Sequence, residues 1–512
     1  MSLVQNFPFF NIIMCLAGGV TCSVLRGKYA RRLTMGLLTV ILCMSAFVLA
    51  FVFRTGESYT FMMGHFPAPW GNEIRVGILE ALMAVFFSLI MILSILGGGK
   101  YILSDIIETK QNLFYVLINL MMSSLLALIY TNDLFTAYVF IEINTIAAGG
   151  LILIRDTGHT LVAATKYMIM SLIGSGLILI GLSMLYGITG HLLMSNIHES
   201  VIQINANGQY TIPLTVIIVF ICVGLAIKSA LFPFHSWLPD AYSYGTAASS
   251  AILSSLVSKS YIFLLIKIFY RVLGRENVIA SEIVNVLFVF GLAGMLMGSV
   301  HAILERDTRR MIAYSSVAQI GYIYMGIGLG TQAGMVAAIF HMFTHSATKA
   351  LLFISAVGLY EVSKDQKDFR SLQGSGYRNP LAGIGFTVGA LSMVGFPMLS
   401  GFISKLLFAT SALQSPHKML PTVIALAIST ILNAVYFLRL VITLYTIPEE
   451  SSENKREEPA NEEEIPKRRP VLSAGTWKLH LAIVSFILLN LTLGLYSQPV
   501  VAWIGSGLAM FD

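Results

Sequence analysis

Several ionisable residues lie inside long apolar stretches of this sequence, and seven of them are of types that suit proton transfer. They are Glu142, Lys228, Lys259, His341, His345, Lys349 and Lys405. Lysine, histidine and glutamate each gain and lose protons, whereas an arginine stays charged. A lysine buried away from water loses the solvation that favours its charge, and a carboxylate in contact restores that preference. A carboxylate that moves toward or away from a buried lysine would therefore load or release a proton, and neighbouring ionisable groups could pass the change along.

Three of these residues share one face of a predicted helix. His341, His345 and Lys349 recur every four residues, which places them one above another along a helix. Paired histidines can also bind zinc, but the H-E-x-x-H motif needs a glutamate where this chain has Met342. No carboxylate or cysteine lies nearby in the sequence, so we interpret this face as part of a proton path and predict no metal site.

No cofactor site is predicted on this chain. Its four cysteines, Cys15, Cys22, Cys43 and Cys222, lie in apolar runs without a C-x-x-C motif, which is typical of small buried side chains. The sequence contains neither a P-loop nor a glycine motif that opens a dinucleotide-binding unit. If the protein serves a redox-driven machine, the cofactor must lie on another chain.

The composition is that of a protein with many membrane spans. Of 512 residues, 56% are apolar and 11% are charged, and the mean hydropathy is +0.78. A soluble domain has about a quarter of its residues charged. Thirteen of the 58 charged residues lie between Glu449 and Arg469, so the rest of the chain is poorer still in charge. This excludes a soluble enzyme, a disordered chain and a nucleic-acid-binding protein.

Fourteen apolar stretches are long enough to cross a bilayer, which takes about 20 residues of helix. With both termini outside, the cytoplasmic loops and flanks hold 20 Lys/Arg and the external ones hold five. Those five are Arg54, Arg75, Arg271, Arg275 and Lys418. This asymmetry follows the positive-inside rule. The sequence therefore predicts a multi-pass protein of the inner (cytoplasmic) membrane with external termini.

The charges inside the spans need a polar environment. The basic ones are Lys166, Lys228, Lys259, Lys267, Lys349, Lys405 and Arg439, and Glu80 and Glu142 accompany them. Each would cost roughly 2.5–3.5 kcal/mol near mid-bilayer, so most must face the interior of the helix bundle. Lys267 and Arg439 lie near the ends of their spans, and we expect them to reach the headgroups. The sequence assigns Glu80 to neither group.

Two spans are broken by proline, and the two halves of the chain share similar sequence features. Pro233 follows Lys228 by five residues, and Pro397 precedes Lys405 by eight. The tripeptide Ala-Thr-Lys occurs at 164–166 and again at 347–349. We therefore predict two five-helix repeats, spans 4–8 and spans 9–13, each with one broken helix. An odd number of helices inverts the second repeat, as in secondary transporters.

The chain is accordingly divided into five segments. They are N-terminal helices in 1–110, a first repeat in 111–271, a second in 280–446, a charged cytoplasmic loop in 447–478 and a C-terminal helix in 479–512.

Four segments of the sequence resemble one family of membrane proteins. They are KSALFPFHSWLPDAY, DTRRMIAYSSVAQIGY, HMFTHSATKALLF and GFPMLSGFISKL. They are similar to the hallmarks of the antiporter-like subunits, which comprise the proton-pumping subunits of respiratory complex I, the large Mrp antiporter subunits and their counterparts in membrane-bound hydrogenases. The resemblance covers roughly residues 110–445 and implies fourteen helices with a central polar axis.

The resemblance also implies roles for the ionisable residues. Glu142 corresponds to the acid that pairs with the lysine of span 7, which is Lys228 here. Lys259 corresponds to a relay lysine, the histidine-containing face to a central link, and Lys405 to the site of span 12. The chain departs from the family in lacking a proline near Tyr244, and it lacks the long lateral helix of the largest complex I subunit.

We therefore expect a proton-translocating, antiporter-like subunit of a redox-driven complex. The leading host is a membrane-bound hydrogenase, followed by a complex I-like oxidoreductase. Either host implies peripheral redox subunits with iron–sulfur clusters, a nickel–iron centre in the hydrogenase, and further antiporter-like membrane subunits.

Two alternatives remain open. One is the D subunit of an Mrp-type Na⁺/H⁺ antiporter, and the other is a structural anchor without transport. The sequence does not decide between the hosts. It also does not decide whether Na⁺ is moved, or the stoichiometry, the direction or the electron acceptor.

Overall fold

The computed structural model describes residues 3–63, 66, 71–208, 210–274, 276–277, 282–447 and 477–511. Nearly all of these residues are helical, as predicted. A two-stranded antiparallel sheet, β1 (Tyr59–Met62) and β2 (Glu73–Val76), pairs Tyr59 with Val76. Most of the predicted charged loop 447–478, and Arg275, lie outside the described residues.

Within the described residues, the N-terminal part and the first predicted repeat contain twelve α-helices and one short π-helical turn, Leu253–Val257. The helices are α1 (Phe7–Val24), α2 (Gly27–Thr55), α3 (Ile78–Gly97), α4 (Gly99–Asp105), α5 (Gln111–Tyr130), α6 (Leu134–Leu153), α7 (Gly158–Thr189), α8 (Met194–Asn207), α9 (Thr211–Ser229), α10 (Leu238–Tyr244), α11 (Ala247–Ile252) and α12 (Ser258–Arg271).

The second predicted repeat and the C-terminal part contain nine helices among the described residues. They are α13 (Ile283–Leu304), α14 (Thr308–Gly328), α15 (Gln332–Glu361), α16 (Ser375–Arg378), α17 (Pro380–Val394), α18 (Ser400–Ala412), α19 (Pro416–Leu444), α20 (Trp477–Leu495) and α21 (Ser497–Ala509). Short 3₁₀ turns cover Leu3–Asn6, Glu108–Lys110 and Arg370–Leu372.

Twelve helical segments of the described chain are long and apolar enough to cross a membrane. The two other predicted spans are present in a different form. Helix α14 is long enough but carries polar side chains such as Ser315 and Gln319, which lower its hydropathy. The span predicted at residues 381–411 is divided into α17 and α18. The predicted all-α polytopic membrane fold is confirmed.

Two spans lie wholly inside the bundle. In the most apolar 18-residue part of Ala247–Arg271 and of Gln332–Glu361 every residue is buried, whereas in α7 and α19 only 39% of the residues of that part are buried. The outer helices present leucine, isoleucine and valine to the surroundings, which suits contact with lipid. The inner spans therefore carry their polar side chains where lipid does not reach.

Both predicted helix breaks are present. Helix α9 ends before Ala230, whose φ is +62°, and the chain resumes a helix only at Leu238. Helix α17 ends before Gly395, whose φ is +94°, a conformation that favours glycine. A Cβ on Gly401 would lie 1.8 Å from the Ser392 carbonyl oxygen, so glycine is required where α18 leaves the break. The grouping of the helices into inverted repeats remains a prediction.

Contacts between helix ends define two faces of the bundle. On one face Arg75 donates to the Met510 carbonyl at 2.6 Å, so we call it the termini face. On the opposite face, the loop face, Arg309 donates to the Gly245 carbonyl at 2.9 Å. The Thr308 amide donates to the Lys367 carbonyl at 3.0 Å on this face.

Lys166 belongs to the loop face and not to the bundle interior, so its assignment to an intramembrane site was wrong. Its side chain is 53% exposed and its Nζ lies 2.6 Å from Asp240. Arg310 approaches the same carboxylate at 2.7 Å. Burial opposes ionisation of Asp240, but the two cations outweigh it and lower the pKa of this carboxyl.

Arg439, as expected for a residue near a helix end, is exposed, and its guanidinium lies over the ring of Phe369.

Candidate functional site

Glu142 and Lys228 meet at one end of a row of polar residues. Lys228 lies one residue before the end of α9, and its Nζ is 3.6 Å from Oε1 of Glu142 on α6. The same Nζ donates to the hydroxyl of Thr145 at 2.8 Å. Ser175 on α7 donates to the Glu142 carboxylate. The Lys228 side chain is fully buried while that of Glu142 is 28% exposed, so the carboxylate is the outer partner of the pair.

Tyr261 continues the row from this pair toward the centre of the bundle. Its ring centroid is 5.7 Å from the Lys228 Nζ. Its hydroxyl accepts a hydrogen bond of 3.1 Å from Asn144 Nδ2. Helix α12, which carries Tyr261, therefore contacts the ion pair from the inner side.

Lys259 is the second residue after the π-helical turn. A π turn leaves main-chain carbonyls without their usual helical partners and often marks a functional site. The Lys259 ammonium donates to the carbonyl of Ser254 in this turn, and the Ser346 hydroxyl on α15 donates to the carbonyl of Ser255 at 2.5 Å. Carbonyls of the turn thus accept hydrogen bonds both from Lys259 on α12 and from Ser346 on the neighbouring helix α15.

Helix α15 carries the three residues predicted to share a face, and the structure places them together. The imidazole rings of His341 and His345 are 6.0 Å apart and nearly parallel. A 2.6 Å hydrogen bond joins His341 Nδ1 to the Ser404 hydroxyl on α18. Lys349 donates to the Ile312 carbonyl at 2.8 Å.

Lys405 lies at the other end of the row, beside the second helix break. Its Nζ donates to the Val394 carbonyl at 2.7 Å and to the Thr430 hydroxyl at 2.9 Å. Val394 is the last residue of α17, where the helix dipole favours a cation. Lys405 is partly exposed, as Glu142 is at the opposite end.

The seven residues predicted from the sequence lie on α6, α9, α12, α15 and α18, and we refer to them together as the polar row. It contains one carboxylate, four amines and two imidazoles, which is the chemistry of coupled proton transfer. Among the described residues no group of three or more His, Cys, Asp or Glu side chains could hold a metal ion.

Asn490 is a component of the site that sequence reasoning missed. This buried residue of α20 accepts hydrogen bonds from Thr348 at 2.7 Å, Ser400 at 3.1 Å and Ser392 at 3.3 Å. It ties the two halves of the broken helix to α15 next to Lys349. A single asparagine in an apolar span was the available signal, since such residues bond between membrane helices.

Lys267 was expected to reach the headgroups, and this was wrong. Its side chain is fully buried and donates to the main-chain carbonyls of Ile129 at 2.9 Å and Thr131 at 2.5 Å. Arg271, counted with the external flanks, is 4% exposed and pairs with buried Glu80. The physical reason is that α12 runs inside the bundle, so the end of this span has no lipid beside it.

Comparison with known proteins places this architecture in a family. The family model described as "NADH:quinone oxidoreductase/Mrp antiporter, TM" matches residues 131–432. NADH-quinone oxidoreductase subunit N of Desulforudis audaxviator (strain MP104C) is 32% identical over 448 residues, which cover 86% of this chain and 87% of that protein. The D subunit of the Na⁺/H⁺ antiporter of Alkalihalophilus pseudofirmus is 27% identical over 460 residues, 90% of this chain and 87% of that one.

A solved structure has the same fold. A chain of the membrane-bound sulfane sulfur reductase, an archaeal respiratory membrane complex, matches with a TM-score of 0.84 and 23% identity. The match covers 100% of this chain and 98% of that chain.

Replacing Asn490 should weaken proton transfer without preventing assembly. Asn490→Ala leaves the hydroxyls of Thr348, Ser392 and Ser400 without their shared acceptor, so the broken helix loses its fixed position. Because small misplacements at a reacting centre are costly, we expect transport to fall about tenfold. Asn119→Ala, which removes a buried asparagine that bonds Thr34 at 2.7 Å outside the row, is the control. Equal transport by the two variants would contradict a positioning role.

Proposed function

The chain belongs to the NADH:quinone oxidoreductase/Mrp antiporter membrane family, and we propose that it moves protons along the row from Glu142 to Lys405. Its place as an antiporter-like membrane subunit agrees with the resemblance noted in its sequence. The 3.6 Å pairing of Glu142 with buried Lys228 is the observation that supports proton transfer best.

The proposed step begins with separation of this pair. Two unit charges at this distance attract by about 5 kcal/mol at an effective dielectric constant of 20. When the carboxylate moves away, the buried ammonium loses this stabilisation. An N–H bond of Lys228 then breaks, and its proton passes to the next neutral amine or imidazole of the row. Return of Glu142 favours uptake of a new proton by Lys228.

Buried polar atoms without protein partners support a hydrated path between the groups. Among the described residues, the Ser255 hydroxyl, the Gln319 amide nitrogen, the Thr344 hydroxyl and both ring nitrogens of His345 are buried and have no hydrogen-bond partner. Buried polar groups of this kind usually bind ordered water. Water at these atoms would join the amines of α12 and α15 into one chain of hydrogen bonds.

We propose a redox-driven host, either a membrane-bound hydrogenase or a complex I-like oxidoreductase. The partners would then be further antiporter-like subunits and peripheral subunits that hold iron–sulfur clusters, with a nickel–iron centre in a hydrogenase. The name of the oxidoreductase relative supports a redox host. The name of the antiporter relative supports the second candidate, the D subunit of an Mrp-type antiporter that exchanges Na⁺ for H⁺.

The free-energy cost of burying the ionisable side chains of the row argues against a structural anchor without transport. A scaffold gains nothing from burying four lysines at membrane depth, where each ionisable residue is expensive and is a functional-site hypothesis by default. We also propose that the loop face is cytoplasmic and that the protein lies in the inner membrane, since the Lys/Arg excess falls on this face.

Lys228 is the residue whose replacement tests proton transfer most simply. Lys228→Met keeps the length of the side chain but carries no proton, and Lys228→Arg keeps the charge but does not release it. Both should reduce vesicle acidification by the reconstituted native complex at least about tenfold, in line with the loss of a proton-transfer group.

The matched control is Lys364→Met, which alters an exposed lysine of the loop face. It should acidify vesicles at the rate of the unaltered chain. Full activity of Lys228→Met would favour the anchor and overturn the proposed function.

Metal and subunit analysis of the gently solubilised native complex identifies the host. Iron with nickel, together with co-purifying peripheral subunits, is expected for a hydrogenase, and iron with flavin but no nickel for a complex I-like enzyme. A set of membrane subunits free of these metals would contradict the redox-driven host and establish the antiporter instead.

A further inference from the structure

A second group of buried charges lies near the termini face, apart from the row. Lys267 and Glu80 are completely buried and Arg271 is 4% exposed. The proton-transfer row does not use any of them. Ionisable side chains at this depth are expensive and are rarely kept without a function.

Lys267 is held by main-chain oxygens and not by a carboxylate. Its Nζ donates to the carbonyls of Leu128 at 3.3 Å, Ile129 at 2.9 Å and Thr131 at 2.5 Å. These carbonyls belong to the last turn of α5 and the residue after it, where helix carbonyls lack intrahelical donors. The negative end of the helix dipole also favours a cation here. Among the described residues, no carboxylate lies within ion-pair distance of this ammonium.

The charges of the group do not cancel when Lys267 is protonated. Arg271, one helical turn further along α12, pairs with Glu80. Glu80 also accepts a hydrogen bond of 3.0 Å from the Gly77 amide, and the ring of Phe511 lies 4.1 Å from the guanidinium carbon of Arg271. With the neighbouring side chains of β2 included, three cations (Lys267, Arg271 and Arg75) face two carboxylates (Glu80 and Glu73). Since arginine does not deprotonate in proteins, Lys267 is the group that can shed the surplus charge.

Lys267 also occupies a position between the row and the termini face. It follows Lys259 by eight residues on the same helix, a rise of about 12 Å. Lys267 contacts the carbonyl of Thr131, and the next residue, Asn132, bonds to Glu73 of β2. The Asn132 amide donates to the Glu73 carbonyl at 2.9 Å, and its side-chain Nδ2 donates to the Glu73 carboxylate at 2.8 Å. Glu73 is partly exposed on the termini face. Polar groups therefore lead from Lys267 to this surface.

We propose that Lys267 is the site from which protons pass between the row and the termini face, an inference that rests on the proposed function. In the step, an N–H bond of the Lys267 ammonium breaks and the proton passes to water at the termini face. A proton from the side of Lys259 then restores the ammonium. Arg271 remains charged throughout, and by repulsion it favours release. The Glu80 carboxylate compensates Arg271.

The rival explanation is that Lys267 is a fixed cation that fastens α12 to the end of α5. The two explanations differ for Lys267→Arg, which keeps a permanent charge and hydrogen-bond donors but cannot release a proton. We expect Lys267→Arg to assemble and to lose vesicle acidification at least about tenfold. Lys267→His, which retains a group that binds and releases protons, should recover at least a third of the lost rate.

Lys418→Arg is the matched control. Lys418 also donates to a carbonyl at the end of a helix, that of Gly328 at 2.7 Å, but it has no place in the row or in the group around Lys267. This variant should transport at the normal rate.

Normal transport by Lys267→Arg would overturn the proposal, and so would failure of both the Arg and His variants to assemble, since a folding role then accounts for the residue. The result is separable from the proposed function. If Lys228→Met is inactive while Lys267→Arg is active, only the assignment of Lys267 fails. If Lys228→Met is active, the proposed proton transfer along the row is overturned.

Discussion

The burial of charge inside an apolar bundle is the constraint on which the rest of this structure depends. Lipid cannot hydrogen-bond a lysine or a main-chain carbonyl, so each such group must find its partner in the protein or in water. The spans Ala247–Arg271 and Gln332–Glu361 are wholly enclosed by other helices and carry most of the ionisable row. The outer helices can therefore remain apolar and contact the membrane.

Irregular main chain supplies the partners that regular helices cannot. Lys405 bonds the carbonyl at the end of α17, and Lys259 bonds a carbonyl of the π turn. Lys228 lies at the end of α9, next to the other break. A regular helix would use these carbonyls internally, so the breaks and the lysines depend on each other. The positive φ of Gly395 and the close approach at Gly401 explain why glycine stands at the second break.

The sequence was sufficient for the all-α membrane fold and both breaks, because proline and long apolar stretches are strong signals in lipid. The proton-transfer role of the row remains a prediction. It was insufficient where a residue's surroundings depend on distant helices. Lys267 lies near the end of its span, and only the packing of α12 inside the bundle shows that no lipid is beside it. The three donors that converge on Asn490 come from three helices other than its own, and no local pattern predicts that meeting.

In the proposed mechanism one continuous row joins the two halves of the chain, and Lys349 lies within it, on the same helix as the histidines. The most direct test is acidification of reconstituted vesicles whose loop face points outward, with Lys349→Met compared with the exposed control Lys364→Met. We expect acidification by Lys349→Met to fall below about a tenth of the control, because the row is interrupted. Equal acidification by the two variants would contradict a continuous row.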